Sequence, residues 1–145
     1  MRIAIASDHA AWELKAALAE WLRGEGHEVL DLGTDGPASV DYPDFGFALG
    51  KAIADHQAER GVALCGSGIG ISIAVNRNPA ARCALVSEPL SARLAREHND
   101  ANVIAMGARL IGIEMAKACI TEFLATGFGG DRHQRRVDKL TNPAL

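Results

Sequence analysis

The sequence predicts an α/β fold built as a three-layer αβα sandwich, and three observations carry that reading. Short apolar runs alternate with amphipathic stretches along the whole chain. The apolar runs are continuous rather than alternating, as in strands covered on both faces. The runs also end in small or polar residues, where a strand would give way to a turn. A Rossmann-like parallel sheet of about five strands, with an extra C-terminal helix, satisfies all three.

The elements follow in order. "RIAIAS" (2–7) reads as the first strand. In "WELKAALAEWLRGEG", Leu14, Leu18, Trp21 and Leu22 recur at i, i+4, i+7 and i+8, an amphipathic helix ending at Gly24 or Gly26. "HEVLDLG" (27–33) is the second strand and "TDGPASVDYP" (34–43) a turn-rich loop. "DFGFALGKAIADHQ" (44–57) is helical despite its glycines. "GVALCG" (61–66) is the third strand and runs into a glycine loop, after which "IGISIAVNR" opens a helix. "RCALVS" (82–87) is the fourth strand, followed by a helix from about Glu88 with Pro89 in its first turn. "ANVIAMG" (101–107) is the fifth strand. "GIEMAKACITEFLATG" gathers Ile113, Ala116, Ile120, Phe123 and Leu124 on one helix face, and a basic helix over 131–140 closes the chain.

Composition bounds the function. The 145 residues, 48% apolar, form a single domain spanning 1–145. No apolar run approaches the ~18 residues of a membrane span, and "MRIAIASDHA" turns polar too soon for a signal peptide. Both points lead to the expectation of a cytoplasmic protein. A net charge of −3 without long like-charged blocks argues against a nucleic-acid partner. The three cysteines, Cys65, Cys83 and Cys119, form no C-x-x-C, so neither a disulfide framework nor a zinc site is expected. Cys83 and Cys119 read as buried, inert thiols.

In parallel sheets ligands collect beyond the carboxyl ends of the strands. Those ends carry "SDHA", "VDYP", "CGSGIG", "SEP" and "GAR", while "REHNDAN" (96–102) lies between a helix and the fifth strand. In the glycine loop, Gly66, Gly68 and Gly70 let backbone N–H groups approach an anion, and a helix begins just after. The loop is not a P-loop, not G-x-G-x-x-G, and not a C-x5-R phosphatase loop, since residue 71 is Ile. An anion cradle and a plain strand-to-helix turn both fit. Cys65, at a strand end facing a helix N-terminus, is either a reactive thiolate or a core thiol. His9 and His98 are proton-transfer candidates, whereas His27 and His56 read as surface groups. Arg132 and Arg136 share a helix face, suited to a phosphate or simply to solvent, and Arg109 ends the fifth strand. Together these residues point to a small phosphorylated substrate and proton transfer. No metal is expected.

"SDHA", "DYP", "CGSGIGISIAVNR", "REHNDAN", "GAR" and "RHQRRV" resemble, in order and over nearly the whole chain, the type B ribose-5-phosphate isomerases. The allose- and galactose-6-phosphate isomerases share much of the pattern. The resemblance implies a cofactor-free aldose–ketose isomerase of the pentose phosphate pathway in carbohydrate metabolism. It would interconvert D-ribose 5-phosphate and D-ribulose 5-phosphate by ring opening and enediolate proton transfer. It implies a homodimer, or a dimer of dimers, with active sites shared between subunits. Carried over by motif, the Cys65 thiolate moves the proton between C2 and C1. The amides from Gly66 through Gly68 to Gly70 hold the enediolate oxygen, and Ser67 lines the pocket and assists a proton transfer. His98 opens the furanose, Asp8 and Asn99 bind hydroxyls, and Tyr42 lines the site. His9, Arg109, Arg132 and Arg136 hold the phosphate.

The chain departs from the pattern in three places. Ala10-Ala11 replaces a frequent Gly at the second position. Ser67 stands where Thr is common. Ile71 occupies the position of the glutamate base of the other branch, which places this chain in the cysteine branch. An isomerase of a related sugar phosphate such as allose 6-phosphate is the alternative. A four-carbon substrate has no matching furanose for His98 to open. A non-catalytic sugar-phosphate sensor has no need of Cys65, His98 and Arg136 together.

Overall fold

A computed structural model describes all residues, 1–145. Its elements are β1 (Arg2–Ser7), α1 (Trp12–Gly24), β2 (Glu28–Asp31), α2 (Tyr42–Ala54), β3 (Arg60–Cys65), α3 (Ile69–Val75), β4 (Cys83–Leu85), α4 (Pro89–Asn99), β5 (Val103–Gly107), α5 (Ile113–Ala125) and α6 (Arg132–Thr141). Every expected element is present and the five strands are all parallel, in the order β2-β1-β3-β5-β4. No helix is long and apolar enough to cross a membrane.

Alternate strand residues divide the core in two. Ile3, Ile5, Val62, Leu64, Ile104 and Met106 face Leu18, Leu22, Ala92, Ala116, Ile120 and Phe123 of α1, α4 and α5. Ala4, Ala6, Ala63, Cys65, Val103 and Ala105 face Leu49, Ile53, Ile71 and Val75 of α2 and α3. Each fully buried Ile, Leu or Phe contributes roughly 1.5–3 kcal/mol. The small residues on the second face let α2 and α3 sit close to the sheet. Those helices also sit close to each other: a Cβ at Gly46 would lie 2.6 Å from the Ala74 Cβ. The α2 glycines thus mark a helix crossing rather than a break.

Three details differ from the expectations. Tyr42 is the first residue of α2 rather than the end of a loop, because Pro43 fits a helix's opening turn. The strand runs are trimmed, with β2 ending at Asp31 and β4 covering only Cys83–Leu85. Cys83 is half-buried on the edge strand β4, while Cys119 is fully enclosed. Burial pushes the Cys83 thiol up to about 12. It pushes Cys119 up to about 11, with Glu88 adding to the effect.

The topology fixes where chemistry can occur. β1 and β3 are neighbours, yet the chain leaves them in opposite directions, which opens a crevice beyond their carboxyl ends. The register Ser7↔Leu64 and Cys65↔Gly107 levels β1, β3 and β5 at that edge. Asp8, Gly66 and Ala108 therefore leave the sheet side by side.

Candidate active site

A cleft of about 610 Å³ occupies this crevice. Asp8, His9, Tyr42, Cys65, Gly66, Ser67, Gly70 and Arg109 line it, with Ile69, Ile73 and Leu110 on its rim.

Cys65 is the last residue of β3 and is only 4% exposed. The Gly68 N–H donates to its Sγ at 3.1 Å. A thiolate would accept that bond more strongly than a thiol. Gly68 adopts a left-handed conformation at φ +78°, and a Cβ there would lie 2.7 Å from Leu85 Cδ1 and 2.8 Å from the Met106 backbone. Only glycine turns the amide onto the sulfur and still fits beneath β5. At Gly70 the reason is different: a Cβ would lie 2.5 Å from the Tyr42 ring.

The loop amides do not act as one set. The Gly68 amide is committed to Cys65, and the Ile69 amide donates to Ser67 Oγ at 3.2 Å. The first backbone bond of α3 runs from the Ser72 N–H to the Gly68 carbonyl. The amides of Gly66, Ser67 and Gly70 carry no backbone bond and are left to donate elsewhere. With its oxygen accepting from Ile69, the Ser67 hydroxyl keeps its proton to donate.

Asp8 is buried, and its Oδ1 accepts the Ala10 N–H at 3.0 Å. His9 Nδ1 accepts the Val40 N–H at 3.1 Å. The proton of the neutral ring therefore sits on Nε2. The loop bearing Val40 is anchored by a charge cluster that the sequence reading missed. The fully buried Lys15 Nζ donates to Asp31 at 2.6 and 2.7 Å and to Asp35 at 3.0 Å. A lysine on the apolar face of α1 was the available signal. Arg109 N–H donates to the Gly66 carbonyl at 3.0 Å, and its side chain lies over the glycine loop without an ion-pair partner.

His98, Asn99, Arg132 and Arg136 are not in this cleft. α4 starts beside the carboxyl edge of β4 and runs back, so His98 and Asn99 in its last turn lie at the amino edge of the sheet. A helix of 11 residues spans about 16 Å, which separates them from Cys65 by roughly the sheet's depth. Asn99 instead lines a pocket of about 450 Å³ with Arg82, Cys83 and Leu140. α6 packs on the end of α4 and brings Arg132 and Arg136 to the same region. Asp100 takes a left-handed conformation and is clamped by Arg82 at 3.2 Å and Arg96 at 2.8 Å, fixing the turn after Asn99. A second residue missed from sequence, His133, stacks on His98 there. The thirteen candidates thus fall into two groups at opposite edges of one chain.

Similarity to known proteins runs through both regions of the chain. The family model described as Ribose/Galactose Isomerase matches residues 3–140. A putative sugar phosphate isomerase of Bacillus subtilis is 41% identical over 143 residues, covering 98% of this chain and 96% of its own. Ribose-5-phosphate isomerase B of Escherichia coli is 40% identical over 97% of this chain and 94% of its own. Among solved structures, ribose-5-phosphate isomerase B of Clostridium thermocellum superimposes with a TM-score of 0.96 at 44% identity, over 97% of this chain and 95% of that one. The Mycoplasma genitalium enzyme with bound ribulose-5-phosphate gives 0.91 at 37% identity, over 97% and 93%.

Proposed function

The chain belongs to the Ribose/Galactose Isomerase family, and from that premise we propose that it is an aldose–ketose isomerase interconverting D-ribose 5-phosphate and D-ribulose 5-phosphate. One observation carries the mechanism. Cys65 Sγ sits buried in one cleft with amides that carry no backbone bond, the Ser67 hydroxyl, His9 and Arg109. A thiol, an oxyanion site and an anion site are what an enediolate reaction on a sugar phosphate requires.

The reaction begins with a closed furanose, whose C2 hydrogen is not acidic. His98 takes the proton of the anomeric hydroxyl and delivers one to the ring oxygen, freeing the C1 aldehyde. The Cys65 thiolate then removes the C2 proton, and the electron pair moves through C1 onto O1. The Gly66, Ser67 and Gly70 amides hold that oxyanion, each good donor contributing roughly 3–4 kcal/mol. Cys65 returns the proton to C1 while the O2 proton passes to O1 with help from Ser67, giving the ketose. Asp8 and Asn99 bind sugar hydroxyls and Tyr42 bounds the cleft. His9, Arg109, Arg132 and Arg136 hold the phosphate.

His98 and Cys65 cannot meet within one chain, so we assign the complete site to a dimer. A second copy supplies His98, Asn99, Arg132 and Arg136 to the first copy's cleft. The exposed apolar rim supports this, with Ile69 51%, Ile73 53% and Leu110 67% exposed around the opening. A dimer or a dimer of dimers, acting in the pentose phosphate pathway of the cytoplasm, is the setting this reading implies.

The test is the ratio of kcat/KM for ribose 5-phosphate to that for allose 6-phosphate. A preference for the pentose of at least about tenfold is expected. Preference for the hexose would move the assignment to the related isomerases, and no turnover of either would remove it.

A further inference from the structure

His98 in the last turn of α4 and His133 in the first turn of α6 stack face to face. Their ring centroids lie 4.5 Å apart, with 15° between the planes. The backbone sets this contact. Gly129 N–H donates to the Glu97 carbonyl at 2.9 Å, and His133 N–H to the Gly130 carbonyl at 2.9 Å. A Cβ at Gly129 would lie 3.0 Å from the Glu97 carbonyl oxygen, so the segment before α6 lies as close to α4 as glycine permits. The hydrogen bonds at this end of α4 run among Arg82, Arg96, Asp100 and Ala101 and leave His98 to the stack.

We propose that His133 is the positioning residue for His98 in ring opening, its imidazole holding the His98 ring in the plane from which it exchanges protons with the sugar. This rests on the isomerase reading above. A histidine at a helix end otherwise samples several rotamers, and proton transfer loses rate steeply with misplacement. His133 also shares an α6 face with Arg136, three residues on, so gripping the phosphate seats the stack. Desolvation first, then the neighbouring Arg132, His98 and Arg136, holds His133 below the ordinary imidazole range, with Glu97 opposing. A neutral ring supports His98 in either protonation state, whereas a second cation would repel it.

The experiment separates ring opening from carbon proton transfer in the full-length enzyme. Ribulose 5-phosphate is open-chain because its 5-hydroxyl is esterified, so exchange of its C1 hydrogen with solvent deuterium needs no ring opening. Wild-type turnover is measured first; without it the isomerase reading itself fails. Given turnover, His133→Ala should lower kcat for ribose 5-phosphate at least about tenfold and leave C1 exchange within about twofold. His98→Ala should show the same split. His133→Phe, which keeps a ring, should restore most of the loss. The ring-current shift on the His98 ring protons should vanish in His133→Ala and persist in His133→Phe. His133→Asn serves in place of alanine if that variant does not fold. Equal losses of turnover and exchange, or wild-type turnover in the ringless variant, would overturn the proposal.

Discussion

Cys65 and His98 lie at opposite edges of the same sheet, and their surroundings differ in kind. Around Cys65 the backbone does the work: a left-handed glycine aims an amide at the sulfur, and two neighbouring strands fix the loop from below. Around His98 side chains do it: the Asp100 clamp, a stacked imidazole and two arginines without carboxylate partners. A carbon proton transfer and its oxyanion need donors that do not reorganise, and backbone amides meet that need. Binding a phosphate and opening a ring tolerate side chains on helix ends. On the dimer reading proposed above, they also suit a surface that a second copy would complete.

The sharpest way to break this division is Cys65→Ala. If the amino-edge groups alone sufficed for the carbon chemistry, kcat/KM would barely change. We expect a loss of at least about 10²-fold for ribose 5-phosphate, the scale of a lost acid–base group. Near-normal activity would remove Cys65 as the base.

Next in size is a mixing experiment. With ribose 5-phosphate as substrate, Cys65→Ala and His98→Ala chains should each lose most of their activity alone. In a two-fold dimer that combines them, one site carries both lesions and the other carries none. Random mixing should therefore return about a quarter of wild-type activity. No recovery in demonstrably mixed dimers would mean that both residues serve the same site from the same chain.

A third test probes how far the cleft depends on its backbone. Gly68→Ala adds left-handed strain and a clash with Leu85 and the Met106 backbone. Gly66→Ala meets only the flexible Arg109 side chain at 3.4 Å. Strain of about 1 kcal/mol plus overpacking of about 1–3 kcal/mol should lower the Tm of Gly68→Ala by at least about 6 °C in a thermal melt. Gly66→Ala should stay within about 0.5 kcal/mol of wild type. Similar melts for the two would show that the loop is held by something other than these contacts.

The two regions were not equally legible in the sequence. Cys65, Ser67 and Asp8 stand at the ends of apolar runs, and a parallel sheet brings strand ends together whatever their order. Their neighbourhood followed from local signals. The order β2-β1-β3-β5-β4 did not, because "RCALVS" and "ANVIAMG" carry the same apolar signal and nothing local says which is the edge. Strand–helix alternation does imply that "REHN", coming before a strand, lies at the amino edge. The separation of His98 from Cys65 could have been read from that. His133 lies inside "RHQRRV", but its stacking on His98 depends on α6 folding back onto α4, which no local signal shows. The split among the loop amides was equally hidden, because it depends on where Sγ and Oγ point.

The smallest effect expected is the most specific to the amino-edge group. Arg136 is exposed, lacks a carboxylate partner and stands one turn from Arg132. A phosphate is a dianion throughout the reaction and gains no charge as the enediolate forms. Its grip is therefore equal in ground and transition states, and losing it weakens binding without slowing chemistry. Arg136→Ala should raise KM for ribose 5-phosphate about tenfold, the worth of one charge-assisted bond, with kcat within about twofold. The rise should shrink in high salt, which screens an exposed charge. A fall in kcat at unchanged KM would instead place Arg136 at the reacting carbons. The division between a backbone-built chemical edge and a side-chain-built binding edge would then fail at its most exposed residue.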